Sequence, residues 1–372
     1  MNVLHLISGN ETGGGMFHVL SLLDKLKNDI NVTLGVFHDE EMAKRARNLG
    51  IDVCIFKQRS KFDLSIIKNI NKYIEENNIN IIHTHGARAN FIAQFLSTKS
   101  KYEWFITVHS NPYDDFLNQG LVGKLFTSLN IRAIKSADCV LAISETFNRS
   151  LRNIGVSSEK IETILNGIDF NVKPKISYKR EDYNLKEDDF VIMMVARLEP
   201  VKCHETALIA MRQLLTKSSK FQLIIVGDGS RYNELRKKTE ELEISNNVKF
   251  LGQRDDIPEL FTLGDITILT SKSESFPLVL LESARAKKPV ISTNVGGVTA
   301  LLPNENYGYI INVGDHKDLA DKIWDYFIMK EKGELAEIGE RLYKYASANF
   351  SDEVFARSVS NIYLKKTEVS NE

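Results

Sequence analysis

The sequence lacks the features that mark several large classes of protein. It has three cysteines in 372 residues, Cys54, Cys139 and Cys203, and no Cys-x-x-Cys pair, so neither a disulfide framework nor a zinc ribbon is indicated. A formal net charge of −1 provides no overall field to attract nucleic acid. No apolar run approaches the roughly 20 residues needed to span a bilayer. The N-terminus has no basic segment before its first apolar run, which predicts a strand and not a signal peptide. These absences favour a protein of the reducing cytosol.

What the sequence does contain is a regular alternation of short apolar runs with longer amphipathic stretches. Runs such as "NVLHLIS", "INIIHTH" and "EWFITVH" predict strands of a parallel sheet that is covered on both faces. A polar stretch at residues 178–189 is interpreted as an inter-domain link, after which the pattern restarts with "FVIMMVA". We therefore predict an α/β protein with two doubly wound, Rossmann-like domains, residues 1–177 and 178–350, whose ligand loops face a deep cleft.

Two cations follow a predicted strand of the second domain. In "VARLEPVKCHETALIA" the strand ends, Arg197 follows, and Lys202 comes shortly before a helix. Two cations at the carboxyl end of a parallel strand suit a diphosphate. A solvated arginine and a solvated lysine are the alternative, but the position at the ligand edge of the sheet favours a functional role.

The stretch "ESFPLVLLE" places glutamates at both ends of a mostly apolar segment. Pro277 suits the first turn of a helix, so Glu274 is predicted in the preceding loop and Glu282 more than a turn inside the helix. Glu274 could be a cap-region acid and Glu282 a partner of a lysine or arginine. A glycosidase-like pair would need both acids to face one bond. The predicted positions favour two separate contacts to one ligand, with the helix N-terminus favouring an anion.

Two glycine-rich loops and several histidines are further candidates. The loop "GNETGGGMF" could bring backbone N–H groups to an anion or could be a flexible turn. The loop "IIVGDGSRYNEL" has Tyr232 where a dinucleotide fingerprint needs its third glycine, which disfavours a nicotinamide cofactor. His83 and His85 share one face of a strand and could chelate a metal, but a buried or edge pair is favoured. His109 ends a strand and begins a loop, a better place for a functional group.

Taken together, these motifs closely resemble the retaining GT-B glycosyltransferases of the glycogen-synthase-like class, family 4. The resemblance runs nearly end to end, through "TGGGM", "TVHS", "ISE", "ILNGID", "VARLEPVK", "VGDGSRYNEL", "FLGQRDDI", "ESFPLVLLE" and "STNVGG". It implies a GT-B fold with a nucleotide-sugar donor in the second domain and an acceptor in the first. It also implies that the C-terminal helix, residues 351–372, completes the first domain, and that transfer retains the anomeric configuration without a metal or other cofactor.

The resemblance also implies roles for particular residues. The catalytic set would be His109, which contacts the sugar hydroxyls, Arg197 and Lys202 on the donor diphosphate, and Glu274 near the 3- and 4-hydroxyls of the sugar. Glu282 would bind the ribose hydroxyls, and the backbone at Gly14 and Gly15 would reach the diphosphate. The other donor-binding residues would be Asn166, Gly227, Gly229, Arg254, Ser275, Phe276, Pro277, Leu278 and Val279.

Three features of the sequence bear on metal binding or depart from the usual pattern of this family. The chain has no Asp-x-Asp sequence, the commonest metal–diphosphate carrier of sugar transferases. Cationic side chains of the protein would then have to neutralise the charge of the departing diphosphate. The family usually has glycine at the position of Cys203 and an acid at that of Ala300. The first departure alters the loop near the predicted diphosphate.

The predicted function is transfer of a sugar from a nucleotide-sugar, expected to be a UDP-sugar, to a lipid-linked or polymeric acceptor in cell-surface polysaccharide (exopolysaccharide-type) biosynthesis. The alternative is a non-catalytic GT-B partner or chaperone of another transferase. An epimerase of similar fold would need an acid/base set of its own, which the sequence does not show. The basic amphipathic stretch 120–135 also predicts peripheral contact with anionic lipid at the inner face of the plasma membrane, although a packed helix with exposed lysines explains it equally well.

Overall fold

The chain folds into two compact α/β units. The computed structural model describes residues 1–10, 14–58, 63–96, 102–109, 112–113, 120–175 and 178–369. The first unit comprises Met1–Gly167 together with Asp352–Glu372, and the second comprises Ile168–Ser351. Each unit is built around one parallel sheet with helices on both faces, which confirms the predicted fold class.

The sheet of the first unit has seven strands in the described part of the chain, in the order β3-β2-β1-β4-β5-β6-β7. These strands are β1 Asn2–Ile7, β2 Asn31–Val36, β3 Asp52–Ile55, β4 Ile81–His85, β5 Glu103–Val108, β6 Cys139–Ala142 and β7 Ile161–Thr163. The helices are α1 Gly14–Leu26, α2 Glu41–Asn48, α3 Ile66–Glu76, α4 Ala87–Ala93, α5 Gly120–Ser136, α6 Glu145–Asn153 and, at the end of the chain, α14 Asp352–Val369.

Alternate residues of β1 enter two different cores because successive side chains of a strand point to opposite faces. Leu4 and Leu6 pack into the core beneath α3 and α4. Val3 and Ile7 pack on the other face, in a core that also contains residues of α1 and α14. A sheet buried on both faces explains why these strands read as continuous apolar runs.

The sheet of the second unit has six strands in the described part, in the order β10-β9-β8-β11-β12-β13. These strands are β8 Phe190–Val195, β9 Phe221–Val226, β10 Val248–Phe250, β11 Ile266–Leu269, β12 Val290–Thr293 and β13 Tyr309–Ile311. The helices are α7 His204–Leu215, α8 Tyr232–Glu241, α9 Ile257–Leu260, α10 Leu278–Arg285, α11 Val298–Leu301, α12 His316–Glu331 and α13 Leu335–Asn349.

Both sheets reverse their strand order at one point. In the first sheet the chain proceeds outward in one direction from β1 and in the other from β4, and in the second sheet it does so from β8 and β11. The loops that follow such a pair of strands diverge, which leaves a crevice at the carboxyl edge of the sheet where ligands of doubly wound proteins bind. Candidate sites are therefore expected after β1 and β4 and after β8 and β11.

The polar stretch 178–189, predicted as a link, is a structured part of the second unit. Its Arg180 guanidinium donates to both carboxylate oxygens of Asp265, each at 3.0 Å, and to the backbone oxygen of Asp189. The preceding residues also stay with this unit, since Ile168 pairs with Ser351 and Lys175 N donates to Glu259 Oε1 at 2.9 Å. The second unit therefore starts before the predicted boundary at residue 178, because side chains distant in sequence hold the connecting segment.

Candidate active site

The loops after β8 and β11 are joined at the point where the second sheet reverses its strand order. The backbone N–H of Lys272 donates to Val201 O at 2.8 Å. The hydroxyl of Thr270 donates to Lys202 O at 2.9 Å and to Cys203 O at 3.1 Å. These bonds hold residues 196–203 and 270–277 side by side at the edge where the sequence placed the predicted diphosphate and sugar contacts.

Lys202 and Glu274, two residues predicted to be catalytic, contact each other directly. Lys202 Nζ lies 2.5 Å from Glu274 Oε1, although the two residues are 72 positions apart in the chain. Ser271 Oγ donates to the same carboxylate oxygen at 2.6 Å. The side chains are 16% and 13% exposed. Within the residues that the structure describes, nothing donates to Glu274 Oε2, so this oxygen is available to accept a hydrogen bond from a ligand.

Arg197 is exposed at the start of the same loop, and its guanidinium forms no ion pair with any residue of the described ranges. The loop backbone is held by Gly227 and Gly229 of the loop after β9. A Cβ at Gly227 would lie 2.1 Å from Ala196 O, and one at Gly229 would lie 2.6 Å from Leu198 O. The two predicted donor-binding glycines thus allow the loops to approach closely, and this packing alone requires glycine at both positions.

The N-terminus of α10 lies at the end of the Glu274 loop. Pro277 is the N-cap residue and makes no side-chain cap, and in the described part of the chain the backbone N–H groups of Leu278 and Val279 have no acceptor, which suits an anion. The side chain of Phe276 is buried, which anchors the loop, while Leu278 and Val279 are half-buried at the helix start. Among the predicted donor-binding residues, this segment has the geometry of an anion site.

Two glycines after β12 position the Glu274 loop, and sequence reasoning used them only as a family motif. Gly296 has φ +54°, and a Cβ there would lie 2.2 Å from Ser275 O. Gly297 N donates to the same oxygen at 3.1 Å. The pair "GG" in "STNVGG" was the signal for this role, but only the fold shows which loop the glycines contact.

Glu282 lies inside α10, apart from Glu274, as predicted from the spacing. Burial raises the pKa of the Glu282 carboxyl, and the charge of Arg285 opposes this shift. Arg285 is itself held by Asp169, whose backbone oxygen accepts from its guanidinium at 3.0 Å. The residue is half-buried, and in the described part of the chain its Glu282 carboxylate has no hydrogen-bond partner. A ligand with hydroxyl groups would supply one.

Arg254, also predicted to bind the donor, is engaged in an ion-pair network of its own. Its guanidinium contacts both oxygens of Asp256, at 2.8 and 2.5 Å, and Tyr178 OH donates to Asp256 at 2.5 Å. The Arg254 guanidinium holds the pKa of Asp256 well below its usual range. No contact within the described ranges joins Arg254 to Lys202 or Glu274, so the structure does not bring it together with them.

In the first unit the predicted glycines stand at the start of α1. The helix begins at Gly14, and the preceding residues 11–13 of the glycine loop lie outside the described residues. A Cβ at Gly15 would meet nothing within 4 Å. Packing therefore does not require glycine at position 15, in contrast to Gly227, and this openness agrees with a backbone that a ligand approaches.

His109, Asn166 and a histidine that the sequence analysis did not single out, His18, lie together in the first unit. His109 follows β5 and its ring lies 4.6 Å from that of His18, centroid to centroid, in an edge-to-face arrangement. His18 is buried, with no hydrogen bond of good geometry to either ring nitrogen in the described structure, and Asn166 Oδ1 is likewise unbonded. Burial lowers the pKa of His18 to about 4, while Asn166 acts in the opposite direction. Buried polar groups that lack a well-formed hydrogen bond among the described residues are suited to a polar ligand.

His83 and His85 are buried, as favoured from the sequence, but the structure adds a third histidine. Ring nitrogens of His5, His83 and His85 lie within 4.8 Å of one another, a spacing that could hold a metal ion. The sequence did not reveal His5 as a neighbour because it belongs to β1, which pairs with β4 only in the folded sheet.

Cys203, where the family usually has glycine, adopts the left-handed conformation that favours glycine. Its φ and ψ are 50° and 47°, a backbone that costs a residue with a Cβ about 1–2 kcal/mol. We expect Cys203→Gly to raise the free energy of unfolding of the second unit by roughly 0.5–1 kcal/mol, measured by urea denaturation, since part of the gain is offset by glycine's greater freedom in the unfolded chain. Cys203→Ser keeps the Cβ and serves as the control. Equal stabilisation by both variants would contradict the assignment.

Comparison with known proteins agrees with this geometry. Residues 12–172 match the family described as Glycosyltransferase Family 4, and residues 176–346 match that described as Glycosyl transferases group 1. N-acetyl-alpha-D-glucosaminyl L-malate synthase of Bacillus anthracis is 26% identical over 308 residues, 82% of this chain and 80% of that protein. The UDP-Gal:alpha-D-GlcNAc-diphosphoundecaprenol alpha-1,3-galactosyltransferase of Escherichia coli is 27% identical over 264 residues, 68% and 67% of the two chains.

The fold is also that of solved glycosyltransferase structures. HepE of Anabaena, solved in complex with UDP, superposes with a TM-score of 0.83 at 22% identity and covers 98% of this chain and 100% of its own. Two doubly wound α/β units of this kind have the GT-B fold. The chain belongs to glycosyltransferase family 4. The predicted family, fold and enzyme class are therefore confirmed, and the chain is a transferase.

Proposed function

We propose that this transferase moves a sugar from a UDP-sugar to a lipid-linked or polymeric glycan acceptor, with retention of the anomeric configuration and without a metal. The observation that carries the proposal is the contact between Lys202 and Glu274 beside the uncapped N-terminus of α10. An ammonium group, a carboxylate with one free oxygen and a helix dipole meet at the edge of a doubly wound sheet. That combination suits a ligand with an anionic diphosphate and adjacent hydroxyl groups.

The cations would act on the diphosphate. A lysine ammonium has three N–H donors, and Lys202 uses one of them on Glu274, which leaves others for a phosphate oxygen. Arg197, exposed in the same loop, supplies a second cation with a planar fork of donors. Negative charge grows on the leaving diphosphate as the sugar–oxygen bond breaks, and groups already placed around it stabilise the transition state more than the bound donor.

Other residues would hold the sugar and the nucleoside. Glu274 Oε2 would accept a hydrogen bond from a sugar hydroxyl. The ribose hydroxyls would donate to the half-buried Glu282 carboxylate, which has no hydrogen-bond partner among the described residues. In the first unit the open backbone at Gly15 and the side chain of His109 are the proposed ligand contacts. Burial keeps the His109 ring neutral at neutral pH by lowering its pKa, so its contacts would be hydrogen bonds and not ion pairs.

The reaction requires no side-chain base. We infer that the acceptor hydroxyl attacks the anomeric carbon from the face that the diphosphate leaves, and that its proton passes to a departing phosphate oxygen. One bond from the anomeric carbon to oxygen forms while another breaks on the same face, which retains the configuration. The chain has no Asp-x-Asp sequence, and Arg197 and Lys202 take the role of charge neutralisation. Transfer is accordingly expected to persist in EDTA.

The donor and the acceptor are tested together by a panel assay. UDP-glucose, UDP-N-acetylglucosamine, UDP-galactose, UDP-N-acetylgalactosamine and GDP-mannose are each incubated with two acceptors, a diphosphoprenol-linked N-acetylglucosamine and L-malate, which the names of the two relatives suggest. We expect a UDP-sugar to be consumed with release of UDP and an α-linked product on the glycan lipid, by NMR. Formation of product on malate would contradict the proposed glycan acceptor. A β-linked product would contradict retention of the anomeric configuration, and loss of product in EDTA would contradict transfer without a metal.

A peripheral membrane contact is a second, independent part of the proposal. In the described residues no helix has the length and apolar character required to cross a bilayer. On α5, however, Val122 and Leu125 are 56% and 59% exposed on either side of the exposed Lys124. Apolar side chains next to lysine on an exposed helix face suit the interface of an anionic membrane. A lipid-linked acceptor would be reached from such a position.

Flotation with liposomes tests this contact. The protein is expected to float with vesicles that contain anionic lipid and to remain below with neutral vesicles. Lys124→Glu should weaken binding roughly tenfold or more, since each basic residue near an anionic surface contributes about 1 kcal/mol and the variant adds a repulsive charge. Lys68→Glu, a charge reversal of an exposed lysine on α3, is the control and should float like the unaltered protein. Equal flotation by both variants would contradict a role for α5.

A further inference from the structure

A continuous series of hydrogen bonds runs through the first unit to His109. It starts at Thr107, whose Oγ1 lies 2.7 Å from His83 Nε2, and His83 Nδ1 lies 2.5 Å from Tyr363 OH. Tyr363 OH lies 3.3 Å from His5 Nε2. His5 Nδ1 lies 3.0 Å from His85 Nε2. His85 Nδ1 then lies 3.1 Å from His109 Nε2. We call these six residues the histidine series. Its interior members are all buried, in the core that α1 and α14 cover.

Each histidine of the series carries a single ring proton. Burial lowers the pKa of His5 to about 3 and the pKa values of His83, His85 and His109 well below the ordinary value. A neutral imidazole donates from one nitrogen and accepts at the other. Because His83, His5 and His85 each use both ring nitrogens within the series, the tautomer of one histidine dictates that of the next, up to His109. The protons can therefore be arranged in only two ways, all donating towards His109 or all donating away from it.

Thr107 decides between the two arrangements. Its buried hydroxyl has one hydrogen-bond partner in the described structure, His83 Nε2. If His83 donated to this hydroxyl, the hydroxyl proton would have no acceptor, which is costly for a buried group. If Thr107 donates, every hydrogen bond from Thr107 to His109 Nε2 has one donor and one acceptor, and no buried hydroxyl is left unsatisfied. The distance of 2.7 Å is also typical of an O–H donor, whereas the 2.5 Å contact at Tyr363 is shorter than either type and does not distinguish them.

We infer that the histidine series fixes the tautomer of His109, so that His109 accepts at Nε2 and presents Nδ1–H as a donor to the ligand. This inference rests on the proposed function and deepens it, because His109 is there a ligand contact. An Nδ1–H group would donate to a hydroxyl or phosphate oxygen of the donor substrate and would not accept from it. Thr107, His83, Tyr363, His5 and His85 are positioning residues, since they act on the ligand only through His109.

The hydrogen bonds also argue against a metal ion in this cluster. Every ring nitrogen of His5, His83 and His85 already faces a partner at 3.3 Å or less. A metal bound by one nitrogen from each would have to break at least two of these bonds. The series satisfies the buried polar groups without an ion, as buried networks require.

Tautomers of neutral histidine are read directly from two-bond ¹H–¹⁵N correlation spectra of the whole protein labelled with ¹⁵N-histidine. The His109 signals are assigned by their loss in His109→Gln. We expect the Nδ1–H form of His109 to exceed the Nε2–H form by about tenfold or more, from the cost of an unsatisfied buried hydroxyl. A dominant Nε2–H form would overturn the inference. This readout needs no substrate, so failure of the transfer assay and failure of the inference are separate results.

Variants then test whether the series is the cause. Thr107→Val removes the donor, and the ratio of the two His109 tautomers is expected to fall to within about threefold of unity, because neither arrangement then satisfies His83. Thr107→Ser restores a hydroxyl and should restore the ratio. Tyr363→Phe, on the distant helix α14, interrupts the series and should lower the ratio in the same way. Circular dichroism and a thermal melt establish that each variant is folded.

Two outcomes of the variant experiment would overturn the inference. If the ratio stays at about tenfold in both Thr107→Val and Tyr363→Phe, local contacts of His109 set the tautomer. If one equivalent of Zn²⁺ added to the unaltered protein binds tightly and shifts the signals of His5, His83 and His85 together, the cluster is a metal site. Unchanged spectra on addition of Zn²⁺ support the hydrogen-bonded series.

Discussion

Replacing Lys202 by alanine is expected to lower kcat/KM for sugar transfer by roughly 10²–10³-fold, the usual cost of removing one preorganised group that stabilises transition-state charge. The physical reason is the position of the ammonium, held 2.5 Å from Glu274 and next to the uncapped start of α10. Initial rates of UDP release and product formation over a range of donor concentrations measure the effect. Loss mainly in kcat would assign the cation to the transition state, and loss mainly in KM to ground-state binding.

The control for this variant is another lysine of the same region. Lys272 lies in the loop after β11 with an exposed side chain, and Lys272→Ala removes the same charge from the protein without touching Glu274. It should change kcat/KM by less than about threefold, as an exposed charge would. Thermal melts establish that Lys202→Ala is folded despite the lost partner of Glu274. Equal activities of Lys202→Ala and the unaltered protein would exclude the proposed role of Lys202 at the diphosphate.

The first unit is expected to lose stability steeply as the pH falls from about 7 towards 4. Burial lowers the pKa of His5 to about 3 and that of His18 to about 4, whereas an unfolded histidine titrates near 6.5. Between these values the unfolded chain binds protons that the folded chain does not, so the free energy of unfolding decreases with decreasing pH. At pH 4.5 these two residues together remove roughly 5 kcal/mol, which is comparable to the whole stability of a typical domain.

Three further histidines act in the same direction. Burial also lowers the pKa values of His83, His85 and His109, all in the first unit. In the second unit burial lowers the pKa of one histidine, His204, to about 4. The first unit should therefore unfold at the higher pH. The two tryptophans report on the units separately, because Trp104 belongs to the first and Trp324 to the second.

The measurement follows tryptophan fluorescence during acid titration in two single-tryptophan variants. Trp324→Phe leaves the signal of the first unit and Trp104→Phe that of the second. The first signal should change at a pH at least about one unit above the second. His18→Asn provides the matched test, since it should reduce the protons taken up on unfolding at pH 5.5 by about one. Coincident transitions, or unchanged proton uptake in His18→Asn, would contradict the assignment of neutral buried histidines.

Much of the architecture was predictable because it depends on local pattern. Continuous apolar runs such as "FVIMMVA" and "FQLIIVG" predicted parallel strands buried on both faces, and the structure places them at β8 and β9 in the middle of the second sheet. Residues 178–189, where this pattern breaks, were predicted to be an inter-domain link, and this prediction was wrong. Arg180 is polar in the sequence, but in the fold it is held by Asp265, and no local rule reveals a partner 85 positions away.

The site divides in the same way. Position after a strand is a local property, so Arg197, Lys202 and Glu274 could be assigned to the ligand edge of the second sheet from the sequence. The spacing in "ESFPLVLLE" also separated Glu274 from Glu282 correctly, since a loop and a helix interior face different surroundings. Arg254 was assigned to the donor from its motif, and this stays a prediction; its ion pair with Asp256 is known only from the structure.

By itself, then, the sequence determined the two α/β units and the residues at the carboxyl edges of the strands, because hydrophobic periodicity and loop position are encoded within a few neighbouring residues. Its motifs indicated the family by their resemblance. Tertiary structure alone decided which of those residues meet. Lys202 reaches Glu274, Gly296 supports Ser275, and His5 joins His83 and His85 because strands separated in the chain lie side by side in a parallel sheet. Such contacts depend on strand order, which no local pattern specifies.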